Sequence, residues 1–307
     1  MTVDVIIPVY RPGEELKELL GRLKTQTLRP SRILLVNTER EFFDESLLEG
    51  MDDVELIHVH KYEFDHGGTR HMAAMKMDGD LLLFMTQDAI PANPYLIREL
   101  VRPFQNERVA ASYARQLPNK NCHPLESYTR SFNYPENSRI KSSEDIAELG
   151  IKTYFCSNVC AMYRRSIYHR MGGFERRTIF NEDMIFAGRL IQKGFSVAYC
   201  AQAQVIHSHN YTGLQQFHRN FDLGVSQAEH PEIFRNLPSE KEGIRMIRQT
   251  VKWLVKSRQK KLIPKLIWQS GCKFAGYRLG KMYRILPLWL VRACSMNPGY
   301  FRQNQSL

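Results

Sequence analysis

Three short stretches carry the residue types that group-transfer chemistry needs. Thr86-Gln87-Asp88 ends an unbroken apolar run, Asn181-Glu182-Asp183 precedes an apolar pattern of helical period, and His207-Ser208-His209 closes a strand-like run. A carboxylate at the carboxyl end of a buried strand stands where open α/β sheets bind their ligands. It is a hard oxygen donor suited to Mg²⁺ or Mn²⁺ carrying a diphosphate, which makes Asp88 a candidate metal ligand; capping the turn before Pro91 is its plainer use. An acid at a helix start sits in a positive potential that keeps it ionised, and an ionised carboxylate can serve as a general base. Asp183, with Glu182 beside it, fits that role, with helix capping as the structural alternative. His207 and His209 alternate along a strand, so both point to one face, and imidazole is a common metal ligand. Arg70 follows Gly67-Gly68 in a turn that feeds a helix, an anion cradle of a general kind, without P-loop or GxGxxG spacing.

These groups need a sheet to hold them. Apolar runs predict strands over residues 3–10, 32–36, 54–59, 80–86 and 109–115, with the 81–85 segment buried on both faces. Helices are expected over 14–26, where Leu16, Leu19, Leu20 and Leu23 share one face, and over 45–50, 67–77 and 93–101. Strands and helices alternating at these lengths predict an α/β protein with a mostly parallel, doubly wound sheet and helices on both faces. Regularity is lost over 116–152, where Tyr128, Phe132 and Tyr134 stand among Asn, Pro and Ser. Such a stretch is either an ordered, ligand-facing insertion or a cover for the sheet. Beyond it come a strand over 154–163, a helix over 164–171 closed by Gly172-Gly173, a helix from Asn181 to Gly194, and short strands over 195–200 and 204–206.

Charge divides the 307-residue chain unevenly. Fifteen of its 43 Lys and Arg lie within 241–307, against a single acid, Glu242. The same segment carries a helical apolar stripe over 243–256 and then Trp268, Phe274, Tyr277 and Trp289 among several glycines. This predicts a catalytic domain over 1–238 and a basic helical extension over 239–307. The extension suggests an anionic partner. No nucleic-acid-binding motif accompanies the charge, so a membrane surface is the better fit; packing on the catalytic domain, or pairing of two copies in a homodimer, uses the same features. No apolar run is long enough to span a bilayer and the first residues do not read as a signal peptide. Six cysteines without a CxxC pair read as reduced thiols. The expected location is cytoplasmic, on the inner face of the cell membrane.

Together these pieces resemble glycosyltransferase family 2, inverting enzymes of the GT-A fold, over roughly residues 3–226. The likeness rests on Val5-Ile6-Ile7-Pro8-Val9-Tyr10, Thr25-Gln26-Thr27, Gly67-Gly68-Thr69-Arg70, Thr86-Gln87-Asp88-Ala89, Gly172-Gly173-Phe174 and Asn181-Glu182-Asp183. Phe64-Asp65-His66 before the glycine pair, and His207-Ser208-His209-Asn210-Tyr211, look most like bacterial rhamnosyltransferases. The resemblance implies that Asp88 is the last acid of a DxD motif holding Mg²⁺ or Mn²⁺ on the donor diphosphate, with His207 or His209 completing the metal shell. Thr86 and Gln87 replace the other two members of that motif. Asp183 would be the base, with Glu182 beside it. Pro8, Val9, Tyr10, Asn37, Arg70 and Gln87 would meet the nucleotide, Asn37 standing where many members have Asp. Tyr128, Phe132, Tyr134, Gly173 and Phe174 would face the acceptor. The implied reaction moves a sugar, L-rhamnose from dTDP-rhamnose by this likeness, to a saccharide or lipid-linked acceptor in bacterial surface polysaccharide synthesis. Another UDP-hexose donor, or a non-catalytic sugar- or nucleic-acid-binding role, are the alternatives.

Overall fold

The computed structural model describes residues 1–51, 53–237 and 240–303. The chain forms two compact units: Met1–Lys120, Asn133–Arg176 and Glu182–Ser208 make the first, while Asn121–Phe132, Arg177–Asn181 and the chain from His209 onward make the second. The boundary expected after residue 238 falls at residues 238 and 239, which lie outside the described residues.

The first unit is built on one sheet. Its strands are β1 (Val3–Val9), β2 (Arg32–Thr38), β3 (Val54–Val59), β4 (Leu81–Met85), β5 (Ile90–Pro91), β6 (Val109–Leu117), β7 (Arg139–Lys141), β8 (Cys160–Arg164) and β9 (Ser196–Ile206). The order is β3-β2-β1-β4-β8-β6-β9-β5, with β7 also paired to β9. β1, β2, β3 and β4 run parallel, β8 runs against β4 and β6, and β9 runs with β6. Among the described residues only β5, β7 and β8 oppose the common direction, so the sheet is mostly parallel. Every residue of β4 is buried, as an apolar run without alternation requires of a strand covered on both faces. The helix Glu14–Lys24 buries Leu16, Leu19, Leu20 and Leu23 in the core that also holds Val5, Ile7, Leu83 and Met85.

Three local expectations change. The two strands foreseen at 195–206 are one, because β9 bulges: Ala114 pairs with Cys200 and Arg115 with Gln204, leaving residues 201–203 outside the ladder. The stretch 116–152 is not irregular but holds the helix Pro124–Asn133, β7 and the short helix Ile146–Leu149; its polar residues mask a weak period. The strand expected over 154–163 shrinks to β8, preceded by a 3₁₀ turn, Gly150–Tyr154.

The second unit is helical, with Pro124–Asn133, Gly213–Glu229, Glu240–Lys256, Ile263–Lys281 and Leu288–Cys294 as its main elements. Leu125, Leu254 and Leu266 form one small core. Phe221, Val225, Val291 and Phe301 form another. The buried Asp222 accepts from Ser295 Oγ at 2.7 Å and from the Met296 backbone at 3.1 Å, which fixes the last helices to the helix Gly213–Glu229.

Candidate active site

Because β1, β2 and β4 are parallel neighbours, their carboxyl ends lie side by side, and Tyr10, Asn37 and Asp88 come from those ends. Gln87 clasps the end of β1. The Tyr10 amide donates to Gln87 Oε1 at 2.8 Å, and Gln87 Nε2 donates to the Tyr10 carbonyl at 3.3 Å and to Glu15 Oε1 at 3.4 Å. Its amide is therefore engaged with the chain rather than open to a nucleotide, a correction to the role expected of it. Val9 is sealed in the core, while Pro8 is half-buried. Tyr10 is exposed and meets Phe42 edge-on at 5.8 Å. The Arg11 guanidinium sits 4.1 Å from the Phe42 ring centre. Asn37 is fully buried. Its Nδ2 donates to the Glu39 carbonyl at 2.9 Å and lies 3.0 Å from His58 Nδ1, while Oδ1 has no hydrogen-bond partner. A buried acceptor left without a donor is rare and costly.

Asp88 follows β4 and His207 follows β9. Their Oδ2 and Nε2 atoms are 3.3 Å apart, with the imidazole buried and the carboxylate partly exposed. On its other side His207 Nδ1 lies 3.1 Å from Gln116 Oε1, and Gln116 Nε2 donates to Ser157 Oγ at 3.0 Å. With the amide so oriented, Nδ1 carries the proton and Nε2 of a neutral ring presents a lone pair toward the carboxylate. Two electron-rich atoms facing one another are stabilised by a cation between them or by protonation of the ring. Asp88, His207 and His209, which lies two residues further along the chain, each offer one ligand atom, and these atoms lie within 4.8 Å of one another. One carboxylate and two imidazoles fit a divalent cation. The histidines follow β9 rather than lying in it. Thr86, in place of the DxD motif's first acid, buries a hydroxyl without a partner.

Glu182 and Asp183 open the helix Glu182–Gln192. Arg70 Nη1 lies 3.4 Å from Glu182 Oε1, with both side chains nearly sealed from solvent. Asn158 Nδ2 donates to the same oxygen at 3.1 Å, and Tyr163 OH donates to Asn158 Oδ1 at 2.9 Å. Burial works to raise the Glu182 carboxyl, but Arg70, His66 and the Asn158 amide together outweigh it and hold the group below its ordinary value. Asp183 goes the other way. Burial, followed by the neighbouring Glu182 charge, pushes it up to about 7, against smaller opposing hydrogen bonds from the Asn158 and Met184 amides. Those amides reach Oδ2 at 2.9 Å and Oδ1 at 2.7 Å. The expectation that the helix start keeps Asp183 fully ionised is thus corrected: desolvation outweighs the helix potential, and the carboxyl is poised near neutrality. Arg70 is likewise turned inward. It donates to the His66 carbonyl at 2.9 Å and pairs with Glu182, so it supports the acid pair instead of reaching a nucleotide. Gly67 permits this arrangement, since a Cβ there would lie 1.8 Å from the Glu175 carbonyl oxygen.

Three of the residues expected to meet an acceptor are covered within the first unit. Phe174 is 2% exposed and packs among Phe84, Tyr163, Tyr168 and Phe186. Gly173 has φ +70, and a Cβ there would strike His71 Nδ1 at 2.2 Å, so this glycine serves close packing. Tyr134 is buried against Phe155 and Tyr199. These three are corrected from ligand-facing to structural, for one reason: their apolar surface is already covered. Tyr128 stacks on Trp253 at 4.8 Å, and Phe132 lies under the Arg245 guanidinium at 5.7 Å. Sequence reasoning missed Gln116, Ser157, Asn158 and Tyr163, which orient His207 and the acid pair. Polar residues inside or next to apolar strands were the only signal, and a single sequence gives them no partner.

The family described as glycosyl transferase family 2 matches residues 4–172. The O-antigen chain rhamnosyltransferase RfbN of Salmonella typhimurium is 39% identical over 307 residues, spanning 99% of this chain and 98% of its own. WbaN of Salmonella anatum, also an O-antigen chain rhamnosyltransferase, is 39% identical over 304 residues, with 98% and 96% covered. Among solved structures, the mannosyltransferase PcManGT from Pyrobaculum calidifontis, in complex with GDP-Man and Mn²⁺, aligns with TM-score 0.56 at 14% identity, over 98% of this chain and 84% of that one. S. aureus TarS 1-349 aligns with TM-score 0.52 at 14% identity, over 92% and 91%. At that identity the structural likeness is one of fold.

Proposed function

The chain belongs to glycosyltransferase family 2, and from that premise we propose that it is an inverting rhamnosyltransferase of bacterial surface polysaccharide synthesis. It would take L-rhamnose from dTDP-rhamnose to a saccharide hydroxyl on a lipid-linked acceptor. The observation that carries the chemistry is the half-buried Asp183 carboxylate, held by the Asn158 and Met184 amides beside a Glu182 anchored on Arg70. The 39% identity to two rhamnosyltransferases supports the sugar.

In this mechanism Asp183 accepts the proton of the acceptor hydroxyl while that oxygen attacks the anomeric carbon. The bond from the anomeric carbon to the diphosphate oxygen breaks, and its electron pair leaves with the nucleoside diphosphate. One direct displacement inverts the centre, so a β-linked donor gives an α-rhamnoside. The backbone amides of Asn158 and Met184 hold the carboxylate, and Arg70 keeps Glu182 ionised so that the pair does not share its protons. A divalent cation held by Asp88, His207 and His209 would neutralise charge on the leaving diphosphate. The carboxylate suits either Mg²⁺ or Mn²⁺ in that position. A UDP-hexose, whose uracil presents the same N3–H as thymine, is the second reading.

The test is transfer from dTDP-L-rhamnose, UDP-glucose and UDP-galactose to lipid-linked acceptor in the presence of Mn²⁺. Turnover with the rhamnose donor at least about tenfold above the others supports the reading. Turnover with a UDP-sugar alone replaces the donor, and no turnover with any of them removes the enzyme.

A further inference from the structure

The helix Ile263–Lys281 wears its apolar residues on both sides. Its inner face, with Leu266, Gly276, Tyr277 and Gly280, is buried. A Cβ on Gly276 would lie 2.2 Å from the Phe217 carbonyl oxygen and one on Gly280 2.1 Å from that of Phe221, so the helix meets Gly213–Glu229 backbone to backbone. The outer face repeats at three- and four-residue steps through Ile267, Gly271, Phe274 and Arg278, all exposed, and Trp268 at its edge rests its indole nitrogen near Gly213 while the rest of the ring stays open to solvent. An outer helical face normally carries charged and polar side chains. Here Ile267 is 63%, Trp268 67% and Phe274 59% exposed. In the chain just beyond the helix, Ile285 and Trp289 are more than 70% exposed each. Exposed apolar residues gathered in this way mark an interaction surface. Lys261, Lys265, Lys281 and Arg284 are exposed along the same stretch, in the segment where fifteen Lys and Arg face one acid, Glu242.

We propose that this face docks on the anionic headgroup layer of a phospholipid membrane. Indole rings settle at headgroup depth, where one edge is apolar and the other wet, and Lys and Arg are drawn to an anionic leaflet. No described helix is long and apolar enough to cross a membrane, so the contact lies in the interface plane. Charge decides against a second copy of the chain as occupant, because two such faces would bring like charges together. A lipid-linked acceptor then reaches the enzyme by diffusion in two dimensions. The inference needs only this surface, so its failure leaves the transferase reading intact.

Vesicle flotation of the full chain tests it. Vesicles of phosphatidylglycerol and phosphatidylethanolamine should carry the protein at low salt, and phosphatidylcholine vesicles at least about tenfold less, with binding lost as salt rises. The variant W268S/F274S/I285S should bind about tenfold or more weakly, with unchanged circular dichroism and melting temperature. Tryptophan emission should shift to the blue on binding in the native chain. A protein that stays off anionic vesicles at low salt overturns the proposal. So does a triple variant that floats like the native chain. A dimer in light scattering that the same variant dissolves, without vesicle binding, assigns the face to a second copy instead.

Discussion

The Arg70 guanidinium lies 3.4 Å from the Glu182 carboxylate, and their side chains are only 7% and 9% exposed. The next residue, Asp183, is held by backbone amides instead. Two adjacent carboxyls at one helix start differ in acidity: burial, then the Glu182 charge, pushes Asp183 up to about 7 against those amides, while Arg70 and its neighbours outweigh burial and hold Glu182 down. Such a division is how one site obtains a fixed anion and a titratable base from the same residue chemistry.

Replacing Asp183 with Asn should lower transfer by about 10²- to 10⁴-fold and leave nucleoside diphosphate affinity unchanged. The same variant should melt higher than the native protein at pH 8. The folded carboxyl binds its proton more tightly than the unfolded one, so native stability is greatest below the unfolded value and declines as pH rises toward about 7. Asn carries no charge and escapes that decline. Calorimetry should show a gain of roughly 1–3 °C at pH 8 that shrinks at pH 5. An equal shift at both values would mean that Asp183 is not titrating between them.

The pH profile of kcat/KM should rise through about 7, as Asp183 loses its proton. Glu182→Gln should move that limb to lower pH, because it removes the like charge that helps to raise Asp183 and leaves the Arg70 charge free to lower it. An unmoved limb would assign the profile to another group.

Arg70→Met should destabilise the fold by about 3–5 kcal/mol, since it strands a buried carboxylate. Adding Glu182→Gln should restore much of that loss, which a double-mutant cycle in urea would reveal. Strictly additive losses would show that the pair does not couple.

How far these relationships were legible depended on range. The parallel half of the sheet was readable because Leu81 to Met85 admit only a strand buried on both faces, and the Leu16–Leu23 stripe admits one helical face. The candidate acids were placed by position, at a strand end and a helix start. Their electrostatics were not, because the Arg70–Glu182 pair joins residues more than a hundred positions apart. For the same reason Phe174 looked like an acceptor contact until Phe84, Tyr163, Tyr168 and Phe186 closed around it. The β9 bulge hid in plain view, since Ala201-Gln202-Ala203 reads as a break in a strand and is a detour within one.

The last prediction concerns Gln116, which contacts His207 of the candidate metal group. Gln116 Oε1 fixes which nitrogen of His207 carries the proton, at 3.1 Å, and leaves Nε2 directed at Asp88. A ring held in this way needs no reorientation to accept a cation, and such supporting contacts typically contribute about 10- to 100-fold in metal affinity. Gln116→Leu should therefore weaken Mn²⁺ binding by about that factor, while Asp88→Ala and His207→Ala should lose it almost entirely. Nucleoside diphosphate affinity should follow the same order with Mn²⁺ present and converge across all four proteins in chelator. Without a cation, Asp88 is an anion near an anionic ligand, and its removal is neutral or favourable. Isothermal titration of dTDP with Mn²⁺, and again with chelator, separates these cases. If Asp88→Ala costs the same affinity in both, the carboxylate shapes the loop and holds no metal. If Gln116→Leu leaves Mn²⁺ affinity untouched, His207 is oriented by its own packing and not by the amide.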